Sequence, residues 1–596
     1  MGSPSFQASN AIIYLTYGAF LLLGTGLAWK MRHQSKASFL AGNRSQSAFP
    51  IALNFIASES TVSRHRPYDQ HDELSAWLAT TRTEEKRLRL TTGADSKQPC
   101  LGPPSQPPSR EVWEEIRKAM KMKLRLYPMG SGILFSYPQL ATLAGLQGVI
   151  VYGFSSSFSL LIFAALVPII RKKCPQGFVL TEWARQRFGA VVALYLGALT
   201  LLTLFLYMVA ELSAIGQVIN ALTGLYGLPV LIVECVVTTI YTSLGGFTIS
   251  FLTDNVQGVM VTCLIVIATI TIGVKVELQP DLIRDSPLLD ASLIGWQIIY
   301  ILPVALLTNQ FFLANFWLRA FASRTDKDLW LGIGIASFVI FCVLVLVGFT
   351  GLFATWSGAY PGDPPAEDGS VAFFLLLGPL PSWVIGIVIV MVVTLSTAAF
   401  DSLQSAMVSS ASNDVFRNRL GIWWIRAGVV LTIIPVVVIA IQAPGILQIY
   451  LISDLLSAAV IPVLVIGLSE RFYFWRGFEV VVGGLGGILT VFIFGTIYYG
   501  SAKQGGELIL LQQGLYTGDW GAFGAFVAAP VGGVVWGCIA LGVRLAFQFL
   551  QSKLQGHRFD ALDRPVEIEP EYDSFQEETT VARDEVPMPR VTGKFF

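Results

Sequence analysis

The chain has little charge and none of the side-chain pairs that would make a metal or haem centre. Asp, Glu, Lys and Arg are 13% of its 596 residues, where an ordinary soluble protein carries roughly 25%. Forty basic and forty acidic residues cancel, so no charge excess points to nucleic acid or another polyanion. The four histidines, His33, His65, His71 and His557, all lie outside apolar runs. This argues against an intramembrane zinc protease or a haem protein, both of which need imidazole at bilayer depth. The six cysteines (Cys100, Cys174, Cys235, Cys263, Cys342 and Cys538) stand singly, with no CxxC pair. They form no disulfide framework, and the four in apolar runs act as small apolar fillers.

Apolar sequence is what the chain has in abundance: 53% hydrophobic residues and a mean hydropathy of +0.61. A membrane-spanning helix needs about 20 mostly apolar residues, because its backbone must be hydrogen-bonded within the segment. Such runs fall at 11–30, 146–170, 190–222, 228–245, 255–275, 295–318, 331–353, 382–411, 427–442, 446–468, 478–498 and 520–549. One more starts near Pro50, is cut short, and resumes at GILFSYPQLATLAG (132–145). The expected fold is therefore an all-α integral membrane protein with thirteen transmembrane helices. With residues 1–10 outside, the inside loops hold Lys30, Arg32, Lys36, Arg44, Arg171, Lys172, Lys173, Arg185, Arg187, Arg319, Arg324, Lys327, Arg417, Arg419, Arg426, Arg471 and Arg476. The outside loops hold only Lys275, Arg284 and Lys503. This positive-inside bias alternates through the whole count. The first run has no basic residues before it and KMRHQSK after it, the pattern of an uncleaved anchor rather than a removable signal.

The expected transmembrane domain is 1–550. The remainder, 551–596, reads as a cytosolic, disordered, acidic tail (EIEPEYDSFQEE). Residues 59–128 break the pattern, with 23 charged residues in 70 against 57 in the other 526. A charged loop is not tolerated in hydrocarbon unless protein shields it. Either it loops out to the cytosol as a genuine insertion, or it is a gene-model artefact such as a retained intron. The second is preferred.

Ionisable residues inside spans cost roughly 2.5–3.5 kcal/mol each on insertion scales, which makes them functional candidates. They are Glu211, Glu234, Asp254, Asp401 and Asp454. Each has a structural reading too. Asp254 is expected near the inner interface as a helix N-cap; Glu234 is expected near an outer helix end, where water solvates it. Glu211, Asp401 and Asp454 lie deeper and stay open between the two readings. TLSTAAFDSLQSAMVSSAS (394–412) puts Ser396, Thr397, Ser402, Ser405, Ser409 and Ser410 on one helix. Hydroxyls there serve either helix packing or a sodium site, where they join unwound carbonyls as oxygen ligands. Gly130 and Gly132 in MGSGILF weaken a helix in the way discontinuous transporter helices require.

Six stretches, in order, resemble the sodium:solute symporter family along nearly the whole chain. They are FLAGNRS (39–45), NFIAS with MGSGILF, CPQGFVLTEWARQRFG (174–189), SLGGFTISFLTDNVQG (243–258), LRAFASRTDKDLW (318–330) and LSTAAFDSLQSAMVSSASND (395–414). Within the family, TEWARQRFG and FLTDNVQG look nearest to the urea active transporter branch. The resemblance implies a five-plus-five inverted-repeat core, with the first span and last two outside it. It implies no cofactor, and Na⁺ as coupling ion at Ala57, Met129, Val393, Ser396 and Thr397, with Asp254 assisting cation exit. H⁺ is the other candidate coupling ion, and Glu211 the candidate substrate-side or proton-linked group. STAAFDS spaces its aspartate differently from the family pattern, and the first two sodium positions straddle the insertion.

The function expected is a secondary active symporter importing a small polar solute, urea first, across the plasma membrane, with the amino terminus outside and the carboxyl terminus cytosolic. The alternative is a non-transporting sensor on the same fold. An enzyme is disfavoured because no His/Asp, Ser/His or Cys/His set lies at bilayer depth.

Overall fold

Long apolar helices make up the molecule, and their ends fall where charge and glycine punctuate the sequence. In the computed structural model they are α1 (Phe6–Lys30), α2 (Ile133–Lys173), α3 (Leu180–Phe188), α4 (Ala190–Thr223), α5 (Leu228–Lys275), α6 (Leu293–Gln310) and α7 (Ala314–Ala322). There follow α8 (Asp326–Trp356), α9 (Ser382–Ser410), α10 (Ile422–Gln442), α11 (Ile446–Val465), α12 (Gly477–Tyr499) and α13 (Gly521–Gln555). The structure describes residues 4–30, 131–174, 179–360, 366–417, 419, 421–442, 445–512, 515, 518–559, 562 and 595. The insertion at 59–128, almost all of the tail, Ala57 and Met129 lie outside them.

Among the described residues nine helices are long and apolar enough to cross a membrane, and Leu228–Leu244 and Val430–Gln442 are shorter apolar helices. The chain is a multi-pass membrane protein. The expected runs 132–145 and 146–170 appear as the two arms of α2, which break at Gly145 (φ 60, ψ −153). Only glycine serves there, because a Cβ would lie 2.1 Å from the Leu288 carbonyl oxygen. Tyr137 and Tyr152, one on each arm, stack with ring centroids 3.8 Å apart and planes 7° off parallel, which clamps the two arms together.

Two expectations are corrected. The backbone runs as one helix from Leu228 to Lys275, where two spans, 228–245 and 255–275, were expected. Gly245 and Gly246 are the only local helix-weakening residues, and two glycines cost a helix roughly 2 kcal/mol without forbidding it as proline would. Asp254 is accordingly deep within α5, not at a helix start; its side chain is outside the description. The run at 295–318 was expected to be continuous, but it breaks at Phe311–Leu313 between α6 and α7.

Capping follows local chemistry. The Thr325 hydroxyl accepts from Asp328 N at 3.0 Å and starts α8, with Asp326 and Asp328 in its first turn. Arg171, Lys172 and Lys173 close α2, where cations suit the negative helix end. Outside the core, α12 and α13 pack through small residues: a Cβ on Gly487 would be 2.7 Å from the Ala529 carbonyl oxygen.

Candidate functional site

The interrupted helices converge on a cavity of about 70 Å³. Ile133 and Ser136 from the start of α2, Tyr152 from its second arm, and Tyr207 and Glu211 from α4 form one side. Leu302, Leu306, Leu313 and Asn315 from the α6–α7 break, Ser402 from α9, and Tyr450 and Asp454 from α11 form the other. Its lining holds two carboxylates and three tyrosine rings, with neither Lys nor Arg. The lining is acidic and aromatic: carboxylates supply negative charge, and tyrosine faces can add cation–π attraction.

Glu211 is buried at 5% exposure, and the geometry explains how a carboxylate is tolerated there. Its Oε2 accepts from the backbone N–H and the hydroxyl of Ser131, at 3.0 and 2.8 Å, and Oε1 accepts from the Tyr450 hydroxyl at 3.1 Å. Ser131 sits at the start of α2, where unpaired N–H groups and the helix dipole favour an anion. The start of α2 thus presents its positive end to Glu211. Asp454 is buried at 2% exposure and is less well served. Asn309 is its polar neighbour, and Oδ1 has no hydrogen-bond partner. Asn309 itself donates to the Tyr207 hydroxyl and accepts from Ser453 at 3.2 Å. Tyr207 and Tyr450 lie with ring centroids 4.9 Å apart, so the wall between the two carboxylates is aromatic.

The hydroxyls of α9 divide between the two readings. Thr397 donates to the Val393 carbonyl at 2.6 Å and Ser405 to the Ser402 carbonyl at 3.0 Å, which is helix-internal bonding. Ser402 reaches the cavity and accepts from Arg319 at 2.9 Å. Ser396 is fully buried, and its hydroxyl has no hydrogen-bond partner. It neighbours Glu234, which is also fully buried, although water was expected to solvate it. The cause is lateral: α1 packs over this part of α5 and brings Tyr17 to Glu234 at 3.2 Å. Asp401 is buried and accepts from Thr242 at 2.8 Å. The structure thus joins Glu211 to Asp454 in one cavity and leaves Glu234 and Ser396 beside it. The three tyrosines were missed, because aromatics are too common in spans to stand out. The polar trio Asn309, Gln310 and Asn315 within an apolar run was the available signal for the α6–α7 break.

Two of the motifs meet at the end of the bundle that carries basic loop residues. Thr181 donates to the Asp414 carboxylate, and Arg185 donates to the Asp414 carbonyl at 2.9 Å. Arg171 grips Ser323 through its hydroxyl and its carbonyl at 2.6 and 3.0 Å, with Asp326 at 3.5 Å.

A buried acidic cavity beside a helix break, within a bundle of long apolar helices, is the arrangement of a membrane transporter. The chain is 46% identical over 575 residues to the spermidine transporter DUR31 of Candida albicans (strain SC5314), a match covering 96% of each chain. It belongs to the family of that transporter. No protein-family profile matches it. Among solved structures, a Na⁺-coupled sialic acid symporter in a substrate-bound outward-open state aligns with a TM-score of 0.60. That alignment covers 89% of this chain and 98% of the symporter at 13% identity, so the two share a fold. These relatives are transporters, not enzymes.

Proposed function

We propose that this protein is a secondary active carrier that imports a polyamine such as spermidine by alternating access, coupled to Na⁺ or H⁺. The observation that carries the reading is the pairing of Glu211 and Asp454 in one buried, tyrosine-walled cavity without a basic residue. Buried carboxylates are expensive unless a positive partner compensates them, and a polyammonium chain supplies that charge at spaced points. The relative's substrate is of the same chemistry. Urea, the solute first expected, is neutral and leaves Asp454 uncompensated. The membrane potential favours cation entry by about 2.3 kcal/mol per charge per 100 mV.

The cavity is smaller than the roughly 300 Å³ or more of ordinary ligand pockets, so loading requires the helices around it to part. Val393, Ser396 and Thr397, with Ala57 and Met129, remain the proposed coupling-cation position, and Asp254 the exit residue. The sodium:solute symporter resemblance, its urea branch included, supports that coupling and the inverted repeat. The positive-inside loops support an outside amino terminus; the plasma membrane is the proposed location.

The test is uptake of radiolabelled spermidine and urea by the purified protein in liposomes, under imposed Na⁺ or pH gradients. Gradient-dependent spermidine uptake competed by other polyamines is expected. Uptake of urea with indifference to spermidine overturns the reading.

A further inference from the structure

Several basic side chains at the loop end of the bundle are held by the protein itself. Arg171 lies 3.5 Å from Asp326, Lys173 lies 2.8 Å from Glu470, and Arg185 donates to the Asp414 carbonyl. Arg417 and Arg419, between α9 and α10, are different. Both are exposed, and among the described residues neither has an acidic partner or a side-chain hydrogen bond. Arg417 also holds φ at 50°, a left-handed backbone that glycine adopts freely and arginine does not. An arginine kept there at a steric cost points to a use for its side chain.

Next along the chain, α10 begins with Trp423 and Trp424, which are 71% and 75% exposed. Tryptophan concentrates at the headgroup level of a bilayer, because its ring is apolar and its N–H polar. Further on, the same helix leaves Leu431, Ile434 and Val438 exposed, so its outer face meets lipid. From Trp424 to Ile434 a helix rises roughly 15 Å, half of the ~30 Å hydrocarbon thickness. Two unpaired cations, two interfacial rings and one leaflet's depth of apolar surface thus follow one another.

We propose that Arg417, Arg419, Trp423 and Trp424 form a binding site for one anionic phospholipid of the leaflet at the basic end. The proposal goes beyond the carrier reading and is independent of the substrate; it uses only the chain's place in a bilayer. The two guanidiniums take the phosphate and the acidic headgroup, the indoles lie against the glycerol region, and the acyl chains run along α10. Charge complementarity selects the occupant. A cytosolic leaflet is anionic and draws arginines beside a span, whereas a zwitterionic lipid leaves one cation unanswered. Arg417 follows Asp414 by three residues, so the lipid anchors the connection that Thr181 and Arg185 tie to α3.

The full chain is reconstituted in phosphatidylcholine vesicles that contain brominated phosphatidylserine, or brominated phosphatidylcholine at the same mole fraction. Bromine quenches tryptophan on contact, and the quenching that disappears in W423F with W424F reports this site. Each arginine at an anionic surface is worth roughly fivefold in binding, so the site should prefer the brominated serine lipid by at least that factor. R417Q with R419Q should abolish the preference. K172Q with K327Q, which neutralises two exposed lysines of the same end, should keep it. Equal quenching by the two lipids in the wild type overturns the proposal. So does a preference that survives R417Q with R419Q, or one that falls as far in K172Q with K327Q. Inorganic phosphate added at constant ionic strength should leave the quenching unchanged; displacement by phosphate assigns the arginines to a soluble anion and overturns the lipid site. If R417Q with R419Q does not fold, R419Q alone serves: the preference should at least halve, and an unchanged preference overturns the proposal.

Discussion

Ser131 gives both its backbone N–H and its hydroxyl to one oxygen of Glu211, at 3.0 and 2.8 Å. With the Tyr450 hydroxyl on the other oxygen at 3.1 Å, Glu211 joins α4, the start of α2 and α11 through one carboxylate. It is a structural cap and a cavity wall at once. Asp454 has no such second task, since its Oδ1 is unpartnered.

The two carboxylates should therefore respond differently to neutralisation. D454N should raise the spermidine KM by tenfold or more while leaving the melting temperature of the purified protein near wild type. E211Q should do both kinds of damage. Hydrogen bonds to a charged group contribute about 1.5–3 kcal/mol each, so loss of that charge should lower thermal stability as well as affinity. Matched melting curves for the two variants would sink this division of labour.

The rings of the cavity wall give a second test, because hydroxyl and ring can be removed separately. Y450F keeps the aromatic face and loses the bond to Glu211. Y450L loses both. A cation–π contact contributes about 0.5–2 kcal/mol, so Y450L should bind spermidine roughly tenfold more weakly than Y450F in equilibrium binding. Equal affinities for the two variants would remove tyrosine faces from the recognition of substrate.

Much of this was legible in the chain, for physical reasons. Apolar runs and basic loops report the bilayer directly, so α1, α4, α8, α9, α11, α12 and α13 fall close to their expected limits. Intramembrane charge also singled out Glu211 and Asp454, since a carboxylate at that depth needs a reason to be there. Lateral packing was not legible. Glu234 is near a helix end in sequence, yet Tyr17, 217 residues away, covers it. The break at Phe311–Leu313 carries neither glycine nor proline, and only the polar Asn309, Gln310 and Asn315 around it were a signal. The separation expected between the runs 228–245 and 255–275 failed because the glycines there permit a helix.

Stability and transport should be separable outside the core. Arg544 and Glu479, both fully buried, pair at 2.6 Å. Arg544 also donates to Gln548 and to the Phe474 carbonyl, at 3.1 and 2.7 Å, and Glu479 accepts from Arg476 N at 2.8 Å. Breaking a buried pair costs about 3–5 kcal/mol, because it strands a charge. R544M should thus lower the melting temperature markedly, with the spermidine KM unchanged. The double variant R544M with E479L should recover part of the loss, since no lone charge remains. A double variant no more stable than R544M would show that the pair is not the cause.

The contacts at the basic end should hold the carrier closed on that side. Asp414 accepts from Thr181 and from Asn413, the latter at 2.9 Å, while Arg185 takes its carbonyl. These bonds tie the TEWARQRFG helix to the end of α9, and none of them reaches the cavity. For substrate to leave at this end they must break, so their strength sets part of the balance between open and closed forms. T181V removes the hydroxyl donor and keeps the side chain's shape. A net loss of about 1 kcal/mol shifts that balance roughly fivefold towards the form open at the basic end. A cysteine placed in the cavity wall as L306C should then react about fivefold faster with an impermeant thiol reagent applied from that side, and no faster from the other. Acceleration from both faces would mean general loosening. An unchanged rate would mean that the bond does not gate the pathway.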